Sequence, residues 1–418
     1  MNNSEQNKIS SRWVSIPVEG LLSSAARGIS AGNATDAGRM WRLPTDHPDP
    51  IVLAGGVPDD KAMPLQDITD ALTKTIENSA GDAMLYGGWL GYEGCRKAIA
   101  DRQNNIEGTS LVADNIIMHN GSSGCLENIL KAFVQPGDVV IVEAPSYSGT
   151  VRAIQGYEAD VVTVPMGTTG INPRAFEEIV NRLRRAGKTI KLFYTIADYH
   201  NPMGYVTSLE TRKMILDTCS QFGILIAEDA AYTELYFNAP PPPSYYALSN
   251  GYGVLKMCSF SKIVATGLRI GWIQARSEFT EPLTRVRFDM GNSPLFHYAL
   301  AELITSGKLD KHVNSMRVLY QRKCLTLIAS LRKHCNSYVT WKEPEGGYFL
   351  WVRCKDSNSL DLMKSAAEEG LVFPSGSVFF VDKPRDSPHF RLAYTGESFE
   401  HLEETGHRLR RAFKKILD

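Results

Sequence analysis

A lysine stands among hydroxyl residues in the segment Ser259–Lys262 (SFSK), directly after the apolar run that begins at Val254. Lysines are usually solvated surface cations, so the simplest interpretation of any one lysine is structural. An amine at the end of a buried strand, however, loses its charge at modest cost, and a neutral amine forms a Schiff base with an aldehyde. We therefore predict that Lys262 binds an aldehyde covalently.

An anion site is predicted beside this lysine. The turn GSSG (Gly121–Gly124) follows an apolar run, so N–H groups at a helix start and the hydroxyls of Ser122 and Ser123 would surround an anion. A plain helix N-cap would explain such a turn equally well. Further donors stand close to Lys262 in the sequence, and they are Ser259, Ser261 and Arg269. A bidentate guanidinium among hydroxyls favours phosphate.

Other side chains at strand ends suit an aromatic nitrogen heterocycle. Asp229 ends the apolar run ILIAE, where it either caps a helix or holds a pyridine nitrogen protonated, which makes such a ring an electron sink. Tyr232 and Asn201 would donate hydrogen bonds to a phenolate oxygen of the ring. Tyr147 is a candidate to stack on the ring face.

One arginine is predicted to bind a carboxylate. Arg391 lies in the apolar strand HFRLAYT, where an unpaired charge is costly. A guanidinium matches a carboxylate in shape, and a cleft between two domains would enclose a small substrate.

These residues must be positioned by a sheet. Short β-branched runs alternate with helical stretches from Ile51 onwards, at NIIMH, VVIVE, DVVTV, KLFYT, ILIAE, VLKMC and IGWIQA. This rhythm predicts an α/β fold with a mostly parallel, seven-stranded sheet covered by helices on both faces. Ligands of such sheets bind beyond the carboxyl ends of the strands, which is where the polar residues fall.

The rhythm stops near Arg285. A long helical stretch from about Leu295 to His334, two antiparallel strands in SYVTWKEPEGGYFLWVRC and a last helix from about Phe399 then predict a smaller α+β domain. We expect an N-terminal arm at 1–50, a large cofactor-binding domain at 51–285 and a small C-terminal domain at 286–418.

The composition limits the class of partner. The 418 residues are 43% hydrophobic and 22% charged with a net charge of -1, so a small molecule is expected rather than nucleic acid or a membrane surface. Seven cysteines without a CxxC pair argue against disulfides and against a metal site. The sequence shows no signal peptide and no apolar stretch of membrane-spanning length, so a cytoplasmic protein is expected.

Together the motifs SFSKxxxxGLRIGW, AEDAAY, HNPMG, APSYSGT and GGYFLW resemble the fold type I aminotransferases of class I/II, in that family's order. LAGGVPDD, GSSG and GLVFPSGSVFF followed by HFRLAYT are most similar to the kynurenine/α-aminoadipate aminotransferase branch. The likeness extends from about Ile51 to the end. It implies pyridoxal 5'-phosphate as cofactor and transfer of an amino group between an L-amino acid and a 2-oxo acid.

The resemblance also implies residue roles that agree with those argued above. Lys262 would carry the Schiff base and move a proton, Asp229 would face the pyridine nitrogen, and Tyr232 and Asn201 the phenolate oxygen. Phosphate would be held by Ser122, Ser123, Ser259, Ser261 and Arg269, with Tyr147 on the ring. The substrate side would be formed by Arg391 on the carboxylate, Asn201, Gly55 and Gly56. Tyr86 resembles the tyrosine that reaches the phosphate of the neighbouring subunit, so the resemblance implies a homodimer with shared sites.

The loop ADYHNPMG departs from the family pattern, which leaves alternatives open. One is a lyase, cyclase or oxidase that acts on an amino acid, such as a cationic arginine derivative, through the same quinonoid intermediate. Acidic or polar groups for such a pocket would come from Asp198, His200, Asp59 and Asp60, although solvated loop residues are the simpler interpretation. A third hypothesis is a transcription regulator with an aminotransferase-like domain. The roughly fifty residues before GGVP show no basic helix pair, so it ranks last.

Overall fold

The computed structural model describes residues 3–14, 16–29, 45–167, 169–382, 384 and 387–417. All seven predicted strands are present within these ranges. The strands are β1 (Ile51–Val52), β2 (Ile116–His119), β3 (Val139–Ala144), β4 (Asp160–Gly167), β5 (Gly170–Ile171), β6 (Ile190–Thr195), β7 (Leu225–Asp229), β8 (Val254–Ser259), β9 (Gly271–Gln274), β10 (Val339–Trp341), β11 (Phe349–Cys354), β12 (Leu371–Val372) and β13 (His389–Ala393).

The main sheet has the order β2-β9-β8-β7-β6-β3-β4-β5 in the described part of the chain. Neighbours from β8 to β4 are parallel, as predicted, whereas β9 runs antiparallel to both β8 and β2. The expected count of seven strands is too low by one. The eighth, β5, is only two residues long and pairs antiparallel with β4, and two residues are too few to give an apolar pattern.

Helices make up much of the rest of the described chain. They are α1 (Asn3–Val14), α2 (Ser24–Gly28), α3 (Leu65–Ala83), α4 (Glu93–Glu107), α5 (Gly121–Phe133), α6 (Ser148–Gly156), α7 (Pro173–Arg185), α8 (Leu209–Phe222), α9 (Tyr245–Ser249), α10 (Ser277–Arg285), α11 (Pro294–Thr305), α12 (Lys308–Cys335), α13 (Ser359–Glu368) and α14 (Phe399–Leu417). Their ends follow local chemistry. In α8, Ser208 accepts a hydrogen bond from the Thr211 amide, and Gly223 at φ +65° ends the helix.

The C-terminal part has its own sheet of β10, β11 and β13, all antiparallel, which includes the predicted pair in SYVTWKEPEGGYFLWVRC. The predicted helical stretch from Leu295 to His334 is two helices, α11 and α12. Gly307 lies between them at φ +72°, a conformation that interrupts a right-handed helix. The last helix, α14, begins at Phe399 as predicted.

The predicted N-terminal arm is described only in part, because residues 30–44 lie outside the described ranges. After them, β1 pairs in parallel with β12, so the chain joins the C-terminal part before it enters the main sheet. The domain boundaries at residues 50 and 285 stay predictions. Among the described helices, none has the length and apolar character needed to cross a membrane.

Candidate active site

The carboxyl ends of neighbouring strands bring the predicted residues to one edge of the main sheet. Strands β8, β7, β6 and β3 are adjacent and parallel, and they lead into Lys262, Asp229, Asn201 and Tyr147 respectively. Because β9 is antiparallel, its first residue, Gly271, pairs with Ser259 at the end of β8 and with His119 at the end of β2. The segment before β9, with Arg269, therefore reaches the same edge as the GSSG turn.

Lys262 is half-buried, and its Nζ donates a hydrogen bond to the carbonyl oxygen of Gly56 at 2.6 Å. Nζ also lies 5.8 Å from the ring centroids of Tyr232 and Tyr348. Burial, with the positive charge of Arg391, lowers the pKa of Lys262 to about 8. A lysine in this state supplies a neutral amine near physiological pH, as Schiff-base formation requires.

Asp229 ends β7 with hydrogen bonds to both carboxylate oxygens. The Tyr194 hydroxyl donates to Oδ2 at 2.8 Å, and the Ala231 amide donates to Oδ1 at 3.2 Å. Burial raises the pKa of Asp229, while these two donors and Lys262 oppose the rise. The helix N-cap expected as the alternative is not what Asp229 forms, since β7 is followed by turns.

The anion donors lie together where α5 begins. Arg269 donates from Nη2 to Ser123 Oγ at 3.1 Å and to the Asn120 carbonyl oxygen at 3.2 Å. The hydroxyls of Ser259 and Ser261 bond each other at 2.9 Å, and Ser122 stands beside Ser123 at the helix start. A side chain at position 271 would come within 2.8 Å of the Gly121 backbone, so only glycine lets the two chains approach this closely.

Tyr232, Asn201 and Arg391 form a connected group. The Tyr232 hydroxyl lies beside Asn201, and burial raises the pKa of Tyr232 while Asn201 opposes the rise. Arg391 donates from Nη1 to Asn201 Oδ1 at 2.7 Å and from Nη2 to the Ala54 carbonyl oxygen. Tyr147 is 43% exposed at the start of α6.

Arg391 is 3% exposed and lies between two rings, with its guanidinium carbon 4.4 Å from the Phe349 centroid and 4.8 Å from that of Phe379. Burial lowers the pKa of Arg391 to about 10. Its Nε has no hydrogen-bond partner among the described residues. A buried guanidinium that has no carboxylate partner in the described part of the chain suits a carboxylate brought by a substrate.

Gly55 and Gly56 are buried in the turn that supplies the acceptor for Lys262. A Cβ at position 56 would lie 2.7 Å from Phe349 Cζ and 3.8 Å from the Tyr232 hydroxyl. The predicted turn therefore contacts both the lysine and the ring that covers Arg391.

For Asp198 and His200, both earlier interpretations are wrong, because neither side chain is a solvated loop residue and neither is free to line a substrate pocket. Asp198 is neither solvated nor directed to a pocket: it is 3% exposed, ion-paired with the buried Arg212 and bonded by Thr233 Oγ1 at 2.7 Å. His200 is fully buried and bonds Glu143 through Nε2 at 3.0 Å. Asp59 pairs with Lys323 at 2.7 Å, and Asp60 is exposed. Buried charges need partners, and the sequence does not reveal partners so distant along the chain.

Sequence reasoning missed Tyr194. It pairs with Ala227, two residues before Asp229, so Tyr194 and Asp229 face the same side of the sheet. The parallel register of KLFYT and ILIAE was the available signal. Tyr86, by contrast, is 83% exposed.

Comparison with known proteins is consistent with this geometry. The family model described as aminotransferase class I and II matches residues 48–409. Aromatic-amino-acid aminotransferase 1 of Thermococcus litoralis is 30% identical over 370 residues, 88% of each chain, and 2-aminoadipate transaminase of Thermus thermophilus is 29% identical over 379 residues, 89% of this chain and 92% of the relative. The kynurenine aminotransferase structure of Pyrococcus horikoshii, solved with PMP, superposes with a TM-score of 0.88 at 28% identity and covers 96% of this chain and 98% of that one.

Proposed function

Since the chain belongs to the class I and II aminotransferases, we propose that the residues gathered around Lys262 are its active site. The protein is a pyridoxal 5'-phosphate-dependent aminotransferase of fold type I, which moves an amino group between an L-amino acid and a 2-oxo acid. The lyase, cyclase or oxidase alternative finds no support in these relatives.

The donor set fits the cofactor. A half-buried amine with a lowered pKa, a buried carboxylate and an anion-binding turn lie at one sheet edge, and these match the aldehyde, the pyridine nitrogen and the phosphate respectively. Lys262 would hold the aldehyde, Asp229 the ring nitrogen, and Tyr232 with Asn201 the phenolate oxygen. The phosphate would be bound by Ser122, Ser123, Ser259, Ser261 and Arg269, with Tyr147 against the ring.

When bound, the cofactor supplies a ring that takes up the electrons of a broken Cα–H bond. The protein's part is orientation and proton transfer. Arg391, whose guanidinium lies between Phe349 and Phe379, would bind the substrate carboxylate and so set the direction of the Cα–H bond. The Lys262 amine would move the proton from the substrate's Cα, because its lowered pKa lets it act as a base near neutral pH.

The observation that carries this proposal is the Lys262 amine held at Gly56 with its pKa lowered to about 8. Borohydride reduction of the purified holoenzyme followed by peptide mapping tests it. The modified peptide is expected to contain Lys262. In the Lys262→Ala variant, borohydride is expected to leave no cofactor covalently attached to the protein. Modification at another lysine would contradict the assignment.

The amino donor is tested by spectroscopy. We expect a series of L-amino acids to convert the bound cofactor to its pyridoxamine form, and the fastest member to define the donor. Release of ammonia or peroxide without that form would indicate the alternative chemistry instead.

We also propose a homodimer in which Tyr86 completes the partner's phosphate site. Exposed apolar side chains flank Tyr86 in the sequence and stand in a second segment, and they are Met84, Leu85, Trp89, Phe288 and Met290. The two segments touch where Gly88 contacts Gly291. Contiguous exposed apolar side chains of this kind are typical of an interface.

Sedimentation velocity and cofactor affinity test the dimer together. Tyr86→Phe is expected to weaken cofactor binding on the order of tenfold while the dimer persists, since one hydrogen bond to a charged phosphate is lost. Tyr252→Phe is the matched control, because Tyr252 is also exposed (63%) and stacks on Arg276. A fully active monomer would contradict the shared site.

A cytoplasmic location is proposed as well. All seven cysteines are buried and free, as expected of a reducing compartment. Fractionation of cells that express the protein, with activity followed in each fraction, tests this. Activity confined to an extracellular or membrane fraction would contradict it.

A further inference from the structure

The ring-nitrogen side of the site includes a side chain beyond the residues assigned above. Tyr194 is fully buried, and its hydroxyl donates to Asp229 Oδ2 at 2.8 Å. Thr150, which is 4% exposed, lies beside the same hydroxyl and opposes the rise that burial causes in the pKa of Tyr194. Thr150 lies on α6, whose first turn follows Tyr147 and is bonded to it, since the Thr150 amide donates to the Tyr147 carbonyl oxygen at 3.0 Å.

We propose that Tyr194, held by Thr150, is a positioning residue that fixes the Asp229 carboxylate and keeps it ionised against the ring nitrogen. This inference rests on the role proposed for Asp229. The geometry supports it: with Tyr194 on Oδ2 and the Ala231 amide on Oδ1, the carboxylate cannot rotate without breaking a hydrogen bond. The Thr150 contact ties that orientation to the helix that carries the proposed stacking residue.

The charge balance at Asp229 shows why a donor is needed. Burial and the neighbouring Glu143 favour the neutral acid, whereas Tyr194, the Ala231 amide and Lys262 favour the carboxylate. Without the tyrosine hydroxyl, the buried carboxylate binds a proton more tightly. It then draws the proton away from the ring nitrogen, and a ring without that positive charge is a weaker electron sink.

Tyr194→Phe removes the donor and leaves the ring volume unchanged. We expect cofactor binding to weaken on the order of tenfold, because the Asp229 carboxylate loses its charge-assisted hydrogen bond from Tyr194. We expect the visible absorption spectrum of the bound cofactor at fixed pH to change, and kcat to fall on the order of tenfold while KM stays within about twofold. Thr150→Val is expected to shift the absorption spectrum in the same direction as Tyr194→Phe, but by a smaller amount. It tests the same proposal if Tyr194→Phe folds poorly.

Tyr245→Phe is the matched control. Tyr245 is also fully buried, and its hydroxyl has no hydrogen-bond partner among the described residues. The Tyr245→Phe variant is expected to change neither the absorption spectrum nor the cofactor affinity. It therefore controls for any general loss of stability caused by altering a core tyrosine.

A double-mutant cycle with Asp229→Asn separates this inference from the proposed function. If Tyr194 acts through Asp229, Tyr194→Phe adds less than about twofold in the Asp229→Asn background. Additive effects, or a silent Tyr194→Phe beside a damaging Asp229→Asn, would overturn the inference and leave the role of Asp229 intact. A silent Asp229→Asn would overturn both.

Discussion

The guanidinium of Arg391 donates from Nη1 to Oδ1 of Asn201 at 2.7 Å, across 190 positions of sequence. Asn201 also meets the Tyr232 hydroxyl, so one amide joins the proposed carboxylate site to the proposed ring site. Because the Asn201 amide oxygen accepts a hydrogen bond from Arg391, the amide cannot turn relative to Tyr232 without breaking that hydrogen bond. Substrate binding and ring position are therefore expected to change together when either residue is altered.

Arg391→Lys is expected to raise KM and lower kcat/KM on the order of a hundredfold or more. A lysine supplies one point charge where the guanidinium supplies paired donors, and it leaves the Asn201 and Ala54 oxygens without their partner. Steady-state kinetics with the best amino donor measures the effect. Arg353→Lys, at an exposed arginine of the adjacent strand β11, should leave kcat/KM unchanged, and an equal loss there would contradict the assigned role.

Gly56→Ala is expected to raise KM severalfold and to destabilise the fold by about 1–3 kcal/mol. The added methyl would lie 2.7 Å from Phe349 Cζ, so the ring must shift and loosen its contact with Arg391. Chemical denaturation and kinetics measure both effects. Gly81→Ala is the control, because nothing lies within 4 Å of its new methyl group on α3 and alanine favours a helix. Unaltered kinetics in Gly56→Ala would argue against the contact.

The apoprotein should react with pyridoxal 5'-phosphate at a rate that rises with pH and levels off above about pH 9. The neutral amine is the reactive form, and with the pKa of Lys262 near 8 roughly a tenth of it is neutral at pH 7. Stopped-flow absorbance between about pH 6 and pH 10 measures the profile. Arg391→Gln should move the midpoint upward, since the arginine's charge lowers this pKa. A rate that still climbs steeply at pH 10 would contradict a perturbed lysine.

Asp198→Asn is expected to destabilise the protein by about 3–5 kcal/mol without a selective change in amino donor preference. The change leaves the fully buried Arg212 without its counter-charge. The midpoint of urea unfolding measures stability. Asp160→Asn, in a pair with Lys188 that is about half exposed on both sides, should cost less than about 1 kcal/mol. If Asp198→Asn instead changed the preferred amino donor and left stability unchanged, Asp198 would line the substrate pocket and this prediction would be wrong.

The sequence by itself determined the local features of this protein. Each strand of the main sheet except β5 follows from a run of β-branched residues, and Lys262, Asp229, Asn201 and Tyr147 stand just beyond such runs. In a parallel sheet, the ends of adjacent strands meet at one edge, so spacing along the chain was enough to place these residues together.

Tertiary structure decided which partner each buried polar group has. Tyr194 on Asp229, Arg212 on Asp198 and Glu143 on His200 are contacts between separate elements, and each depends on strand register or on helix packing. A side chain's charge, orientation and pKa are set by what surrounds it in space. The same aspartate letter therefore stands for a carboxylate proposed to face the cofactor ring at position 229 and for a structural ion pair at position 198.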